Sequence, residues 1–392
     1  MARVLQIVTE LVVGGASLTM LDFAEDLASE HELLIAHGRL EDPANAAVAR
    51  ARERFPTYEV SRLARPLSVR RDAAALRDLH ALCRLIEPDV IHTHSSKAGF
   101  LGRIGAPPET PVLLHTIHGW GHTPLDGRLR RAALVNAERL AARRTTKLIA
   151  VSRDVKDEGV TLHIGRPAQY EVIGAPVDMR PRDPDFTAAR AAARTALRVA
   201  PDAEVVGWVG RYSPQKDPAT LVDVVARLLA GRDKTIAVLV GDGPDRTLVR
   251  RRLASEVAAG RVRLTGAHDD ARALYPAFDV LLHTSLWEGH PRVVREALAE
   301  RIPVVTSRVG GTGLITADPR LGAEVTAGDA AAFVGALARI LDAPTLRAPI
   351  DDTALAPLRA AAREPYQLMR ELYRAALANA AGERPERRAR VP

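Results

Sequence analysis

Nine short apolar runs recur along the chain, each followed by a stretch long enough to form a helix. In the first half they cover residues 4–8, 90–92, 112–117 and 147–151; in the second, 205–209, 236–240, 262–265, 280–283 and 304–306. Strands alternating with helices predict parallel α/β sheets, because a parallel connection needs a crossover helix. The two sets are separated by Ala175-Pro176-Val177-Asp178-Met179-Arg180-Pro181-Arg182-Asp183-Pro184. Proline fixes φ and removes a backbone donor, so this density stops both helix and sheet. The reading is therefore an N-terminal domain over 1–175, a linker over 176–186 and a C-terminal domain over 187–363. Each is expected to be an open, doubly wound sheet with ligands outside the carboxyl ends of its strands. Two such sheets facing one another would leave a cleft. Residues 364–380 place Tyr366, Met369, Leu372, Tyr373 and Ala376 near one helical face. The tail over 381–392, with Arg-Pro-Glu-Arg-Arg-Ala-Arg, reads as disordered.

Composition removes several classes of function. The 392 residues carry a net charge of +7, but the basic residues are dispersed among acids, without the basic–aromatic interleaving of a nucleic-acid reader. No apolar run approaches the ~20 residues that cross a bilayer. The N-terminus lacks the basic, apolar and small-residue series of a signal peptide, so a cytoplasmic location is expected. Cys83 falls in line with Leu76, Leu79 and Ile86, the place of a small core hydrophobe.

The most informative segment is Glu288-Gly289-His290-Pro291-Arg292-Val293-Val294-Arg295-Glu296, which leads into an apolar strand. Proline suits the first turn of a helix, where its missing N–H would be unpaired anyway. A helix starting near Pro291 aims free N–H groups and a positive dipole end at the loop, which suits a phosphate. Glu296, further along, can accept hydrogen bonds from vicinal sugar hydroxyls. After the strand ending at Val209, Arg211 offers a planar donor fork and Lys216 a mobile point charge, a pair suited to a diphosphate. The bland alternative is a solvated loop with two stray cations. Gly14-Gly15 can let backbone approach a ligand, or can be an ordinary turn between strand and helix. Neither glycine belongs to a Gly-x-Gly-x-x-Gly fingerprint, which lowers the case for a nicotinamide enzyme. His92, His94, His115, His118 and His122 invite a zinc reading, but they sit at strand ends with no cysteine nearby and no helical His-x3-His.

Taken in order, these motifs resemble glycosyltransferase family 4, retaining enzymes of the GT-B fold. The match runs through Gly14-Gly15-Ala16, His92 to Gly99, His115 to Gly119, Val151-Ser152, Gly210-Arg211 with Lys216, Gly241-Asp242-Gly243-Pro244, the Glu288-x7-Glu296 signature and Gly310-Gly311. The fold so implied is two Rossmann-like domains facing across a cleft, with the last helix crossing back to the first domain. The resemblance implies transfer of a sugar from a nucleoside-diphosphate sugar, UDP by family default, to an acceptor hydroxyl or amine. Glu288 and the backbone of Gly289, His290, Pro291 and Arg292 would hold the donor sugar and phosphates, and Glu296 the ribose. Arg211 and Lys216 would neutralise the leaving diphosphate. Backbone near Arg263 and Leu264 would border the base, and Gly14 and Gly15 the donor. His118 matches the family's N-domain histidine near the transferred sugar; a structural histidine is the alternative. Front-face attack, with the leaving phosphate taking the proton, is the implied mechanism. With cations in that role no metal and no cofactor is expected.

The sequence departs from the family at Ala175-Pro176, where Asn-Gly is usual, at Glu300-Arg301-Ile302, where a glycine is usual, and at Arg295, commonly apolar. These bear on local packing and acceptor preference. A glycoside hydrolase is disfavoured, since its two carboxyls would have to stand about 5–5.5 Å apart on one bond. A catalytically weak nucleotide-sugar-binding partner subunit is the second reading. The basic segment over 126–147 can be a solvated helix face or can rest against an anionic membrane surface.

Overall fold

The computed structural model describes residues 1–40 and 42–388. The chain divides into two units: Met1–Pro176 together with the chain from Arg363 onward, and Val177–Ala362.

Unit 1 holds seven strands: β1 (Arg3–Val8), β2 (Glu32–His37), β3 (Thr57–Glu59), β4 (Val90–His94), β5 (Val112–Ile117), β6 (Lys147–Ala150) and β7 (Tyr170–Val172). The helices between them are α1 (Gly15–Leu27), α2 (Ala46–Arg54), α3 (Val69–Ile86), α4 (Ser96–Gly105), α5 (Arg128–Ala142) and α6 (Arg153–Thr161). The sheet is parallel throughout, in the order β3-β2-β1-β4-β5-β6-β7. Its central strands are buried on both faces, which is why β4 and β5 lack the alternation of a half-exposed strand. Cys83 lies in the core on the α3 side, and burial pushes its thiol up to about 12.

Unit 2 repeats the plan. Its strands are β8 (Glu204–Val209), β9 (Thr235–Val240), β10 (Val262–Gly266), β11 (Val280–His283), β12 (Val304–Ser307) and β13 (Gly322–Val325), parallel in the order β10-β9-β8-β11-β12-β13. Its helices are α7 (Phe186–Ala196), α8 (Pro218–Ala230), α9 (Arg246–Arg252), α10 (Ala254–Ala258), α11 (Arg292–Ala299), α12 (Ala330–Asp342), α13 (Pro344–Arg347) and α14 (Asp352–Ala361). The proline-rich stretch read as a linker has no helix or strand, as its prolines require, but it is not loose. Val177 and Met179 are buried in the unit 2 core, and the Arg182 N–H donates to the Glu300 carboxylate.

The last helix, α15 (Glu364–Arg388), belongs to unit 1. Met369, Leu372, Tyr373 and Ala376 enter the core beside Val4, Leu21 and Val112, and Tyr366 packs edge-on to Phe23 at 5.8 Å. Residues 381–388, expected to be disordered, continue this helix; once a helix is nucleated each further residue adds a hydrogen bond at little cost. The remainder of that tail, 389–392, lies outside the described residues.

Candidate active site

In each sheet the strand order reverses at one point, between β1 and β4 in unit 1 and between β8 and β11 in unit 2. Chains leave such neighbouring strands toward opposite faces, opening a crevice at their carboxyl ends. The sequence motifs fall at these two points.

In unit 2 the loops after β8 and β11 are joined. The Leu286 N–H donates to the Gln215 carbonyl at 2.8 Å, the Thr284 hydroxyl to the Lys216 carbonyl at 2.8 Å, and Gln215 Nε2 to the Trp287 carbonyl at 3.0 Å. This fixes Lys216 over Glu288, and the two side chains form an ion pair. Ser285 Oγ donates to Glu288 Oε1 at 2.8 Å, and His283, which bonds Ser285 at 2.9 Å and Thr306 at 2.8 Å, stands 3.5 Å from the same carboxylate. Burial alone would raise the Glu288 carboxyl, but the Lys216 ammonium and the neighbouring His283 outweigh it and hold it down to about 2. Glu288 is thus a largely covered carboxylate held by Lys216, Ser285 and His283. Arg211, in the same loop, is exposed and makes no ion pair among the described residues.

The β8 loop also leans on the loop after β9. Gly241 has φ +139°, and a Cβ there would stand 1.8 Å from the Gly210 carbonyl oxygen, so only glycine allows this approach. The Tyr212 N–H then reaches the Asp242 carbonyl at 3.0 Å.

Helix α11 starts at Arg292 with Pro291 as its N-cap, and Pro291 supplies no side-chain hydrogen bond. Pro291 therefore provides no side-chain cap at the end of α11 where the dipole is positive. Arg292 stands 3.4 Å from Glu296 on the same helical face, and Tyr275 Oη donates to Glu296 at 3.4 Å. His290 Nδ1 and Arg295 Nε are buried without a hydrogen-bond partner. Burial, with Arg295 and Arg292 adding to it, holds His290 well below the usual imidazole range, and burial lowers the Arg295 guanidinium to about 10. A buried polar atom without a partner costs free energy until something completes its bonding. Gly311 packs against His290 and Gly289.

Arg263 and Leu264 lie in the edge strand β10. The Arg263 guanidinium lies 3.4 Å from where a Cβ on Gly260 would stand, toward the start of that strand. Its side chain is thus not brought to the loops after β8 and β11; only backbone here suits a nucleotide base.

In unit 1, Gly14 is the N-cap of α1 in extended conformation, and a Cβ there would meet only Val12 at 3.8 Å. Gly15 is the first residue of α1. Nothing in the fold itself demands a glycine at position 14. The five histidines do not share one centre. His115 bonds Thr93, His122 stands 3.8 Å from Glu158, and His92, His94 and His118 belong to a chain of hydrogen bonds that includes Tyr373 and Gln6. Among the described residues no group of three or more His, Cys, Asp or Glu is placed to hold a metal ion. His118 follows β5, 3.0 Å from His94.

Two parallel sheets of this order, with the Lys216–Glu288 ion pair and the start of α11 at the reversal point of one, have the architecture of a GT-B glycosyltransferase. Residues 13–180 match Glycosyltransferase Family 4 and residues 203–343 match Glycosyl transferases group 1. The chain belongs to glycosyltransferase family 4. It is 30% identical to a D-inositol 3-phosphate glycosyltransferase of Actinosynnema mirum over 69% of this chain and 68% of that protein. To a UDP-Gal:alpha-D-GlcNAc-diphosphoundecaprenol alpha-1,3-galactosyltransferase of Escherichia coli it is 28% identical, over 73% and 74%. Among solved structures, HepE of Anabaena in complex with UDP and glucose superposes with a TM-score of 0.76 at 22% identity, covering 96% of this chain and all of that one.

Proposed function

We propose that this glycosyltransferase transfers a sugar from a UDP-sugar to an acceptor hydroxyl, with retention and without a metal. The observation that carries the reading is the Lys216–Glu288 pair at the unit 2 reversal point, beside the uncapped start of α11. In the free protein Glu288 neutralises Lys216. When a donor arrives, its diphosphate competes for the ammonium and its sugar hydroxyls for the carboxylate, so both partners exchange one another for substrate. The anomeric C–O bond to the β-phosphate breaks, the C–O bond to the acceptor forms on the same face, and the phosphate oxygen takes the acceptor's proton. Lys216, Arg211 and the first-turn N–H groups of α11 stabilise the charge that grows on the departing diphosphate, the kind of contribution that dominates such catalysis. Glu296 and Tyr275 hold the ribose, and His118 bonds a hydroxyl of the transferred sugar. The choice of UDP is supported by the name of the Escherichia coli relative, which carries UDP-Gal, and by the solved neighbour, which holds UDP.

The acceptor reading rests on α5. Leu129 is 90% and Leu125 63% exposed, flanked by the exposed Arg128, Arg130 and Arg131. Apolar tips among cations suit an anionic lipid surface, and with it a lipid-linked acceptor. Incubation with UDP-sugars and a lipid-diphosphate acceptor, followed by NMR of the anomeric proton, tests the proposal. A product of inverted configuration, or transfer abolished by EDTA and restored by Mn²⁺, would refute the corresponding part.

A further inference from the structure

Where β11 and β12 begin, at the opposite ends of these strands from the loops that carry Lys216 and Glu288, unit 2 encloses a cavity of about 370 Å³. Its walls include Phe186 and Arg190 of α7, Arg301 and Pro303 between α11 and β12, and Pro344 and Arg347 of α13. Three guanidinium groups therefore border one hollow. Its volume is that of a site for a small organic ligand, more than a bare ion needs.

Arg301 is the residue whose presence there most needs a reason. Helix α11 ends in a Schellman turn: the Ile302 N–H donates to the Ala297 carbonyl at 2.8 Å, and the Arg301 N–H to the Leu298 carbonyl at 2.9 Å. Such a turn puts the residue at Arg301 in the left-handed region, the usual place of a glycine. Arg301 occupies it with φ +64°, a conformation that disfavours any residue with a Cβ. Its own bonds do not offset this. Nε is buried without a partner, and its ion pair is with Asp352, an exposed carboxylate that Arg359 also uses. The other two arginines share their carboxylates in the same way. Asp279 takes Arg190 at 2.6 Å and Arg194 at 3.1 Å, while Glu204 takes Arg232 at 3.0 Å and Arg347 only at 3.4 Å. Each arginine on the cavity wall thus has only part of a counter-charge. Burial, with Arg190 and Arg347 adding to it, lowers the neighbouring Arg194 guanidinium.

We propose that this cavity binds a phosphate monoester with a body of sugar size, the phosphate held by Arg190, Arg301 and Arg347 and the body lying against Phe186 and Pro344. A monoester brings close to two negative charges and three acceptor oxygens, and the guanidinium fork matches such oxygens. A strained residue retained at a cavity wall is accounted for when a ligand uses it. The inference does not depend on the sugar-donor reading of Lys216 and Glu288.

The test is isothermal titration of the full chain with ribose 5-phosphate and, separately, with inorganic phosphate. Ribose 5-phosphate is expected to bind at one site per chain, more tightly than inorganic phosphate. Its affinity should fall at least tenfold in Arg301→Gly and in Arg347→Ala, and should be unchanged in Lys216→Ala. Melting without ligand gives the second readout. Arg301→Gly relaxes the left-handed turn and should melt no lower than the unaltered protein, whereas loss of a merely structural arginine would lower it. No binding of ribose 5-phosphate, binding that survives both arginine substitutions, or binding lost in Lys216→Ala would overturn the site. Equal affinity for inorganic phosphate would overturn the choice of a monoester, and a lower melting temperature in Arg301→Gly would overturn the role given to Arg301.

Discussion

Glu288 draws its low carboxyl pKa from a cation that the reaction is proposed to borrow. That makes the residue a stability element in the free protein as well as a substrate contact. Its folded carboxyl titrates near 2, against about 4.5 for the unfolded chain, so on acidification the unfolded state takes the proton first. The stabilisation is whole above pH 4.5 and is lost as the pH falls from there toward 2. Between pH 6 and pH 3 the unaltered protein should therefore lose about 2 kcal/mol more stability to denaturant than Glu288→Gln does; equal losses would mean that the carboxylate is not held as described. Lys216 and Glu296 should fail in different ways. Lys216→Ala removes charge whose value rises as the diphosphate leaves, and should lower kcat by about 10²–10³ while weakening donor binding. Glu296→Gln loses bonds to ribose that hardly change during reaction, so the loss should appear mainly in donor KM. A plot of kcat against KM for UDP release separates the two, and coincident variants would cancel the assignment. Glu288, Lys216 and Glu296 stand out in sequence because their spacing matches a family pattern. Ser285, His283, Gln215 and Tyr275, which hold them, do not, because the topology alone brings them there. Arg263 was expected to act through its backbone, and its side chain runs back along its strand.

Among the elements, α15 shows how far periodicity reaches. Its buried face was legible because Tyr366, Met369, Tyr373 and Ala376 recur at helical spacing. Its docking partners were not, since nothing local says that Arg370 and Arg374 pair with Asp26 and Glu30 at the end of α1. The short strands β3, β7 and β13 were also missed, for edge strands of three or four residues carry too few apolar positions to establish a period. Strand β2 was missed differently: Leu33-Leu34-Ile35-Ala36 suits a helix as well as a strand. The core, not the surface ion pairs, is expected to hold α15 in place. Tyr373→Ala empties a fully buried site and orphans Gln6 and His92, and should cost unit 1 about 3–5 kcal/mol in urea unfolding. Arg374→Ala, at an exposed pair, should change little. Comparable losses in the two variants would place the anchor at the surface instead.

At the scale of the whole molecule, the chain builds the same doubly wound order twice, and each copy carries its polar groups where the order reverses. That much follows from two sets of apolar strands with a proline-dense break between them. The positions of the donors and carboxylates needed the folded loops. No helix among the described residues is long and apolar enough to cross a membrane; the lipid contact proposed above is made by α5. Leu129→Asp should then reduce sedimentation with anionic vesicles while leaving UDP binding intact; unchanged sedimentation would remove α5 from the acceptor reading. The central claim is that unit 2 binds the nucleotide of a UDP-sugar through charged side chains and helix N–H groups, without a metal. Isothermal titration of the full chain with UDP in excess EDTA tests it most directly. The account predicts one UDP per chain, with binding weakened in Lys216→Ala and in Glu296→Gln. Binding that requires added Mn²⁺ or Mg²⁺, or that is indifferent to both substitutions, would contradict it.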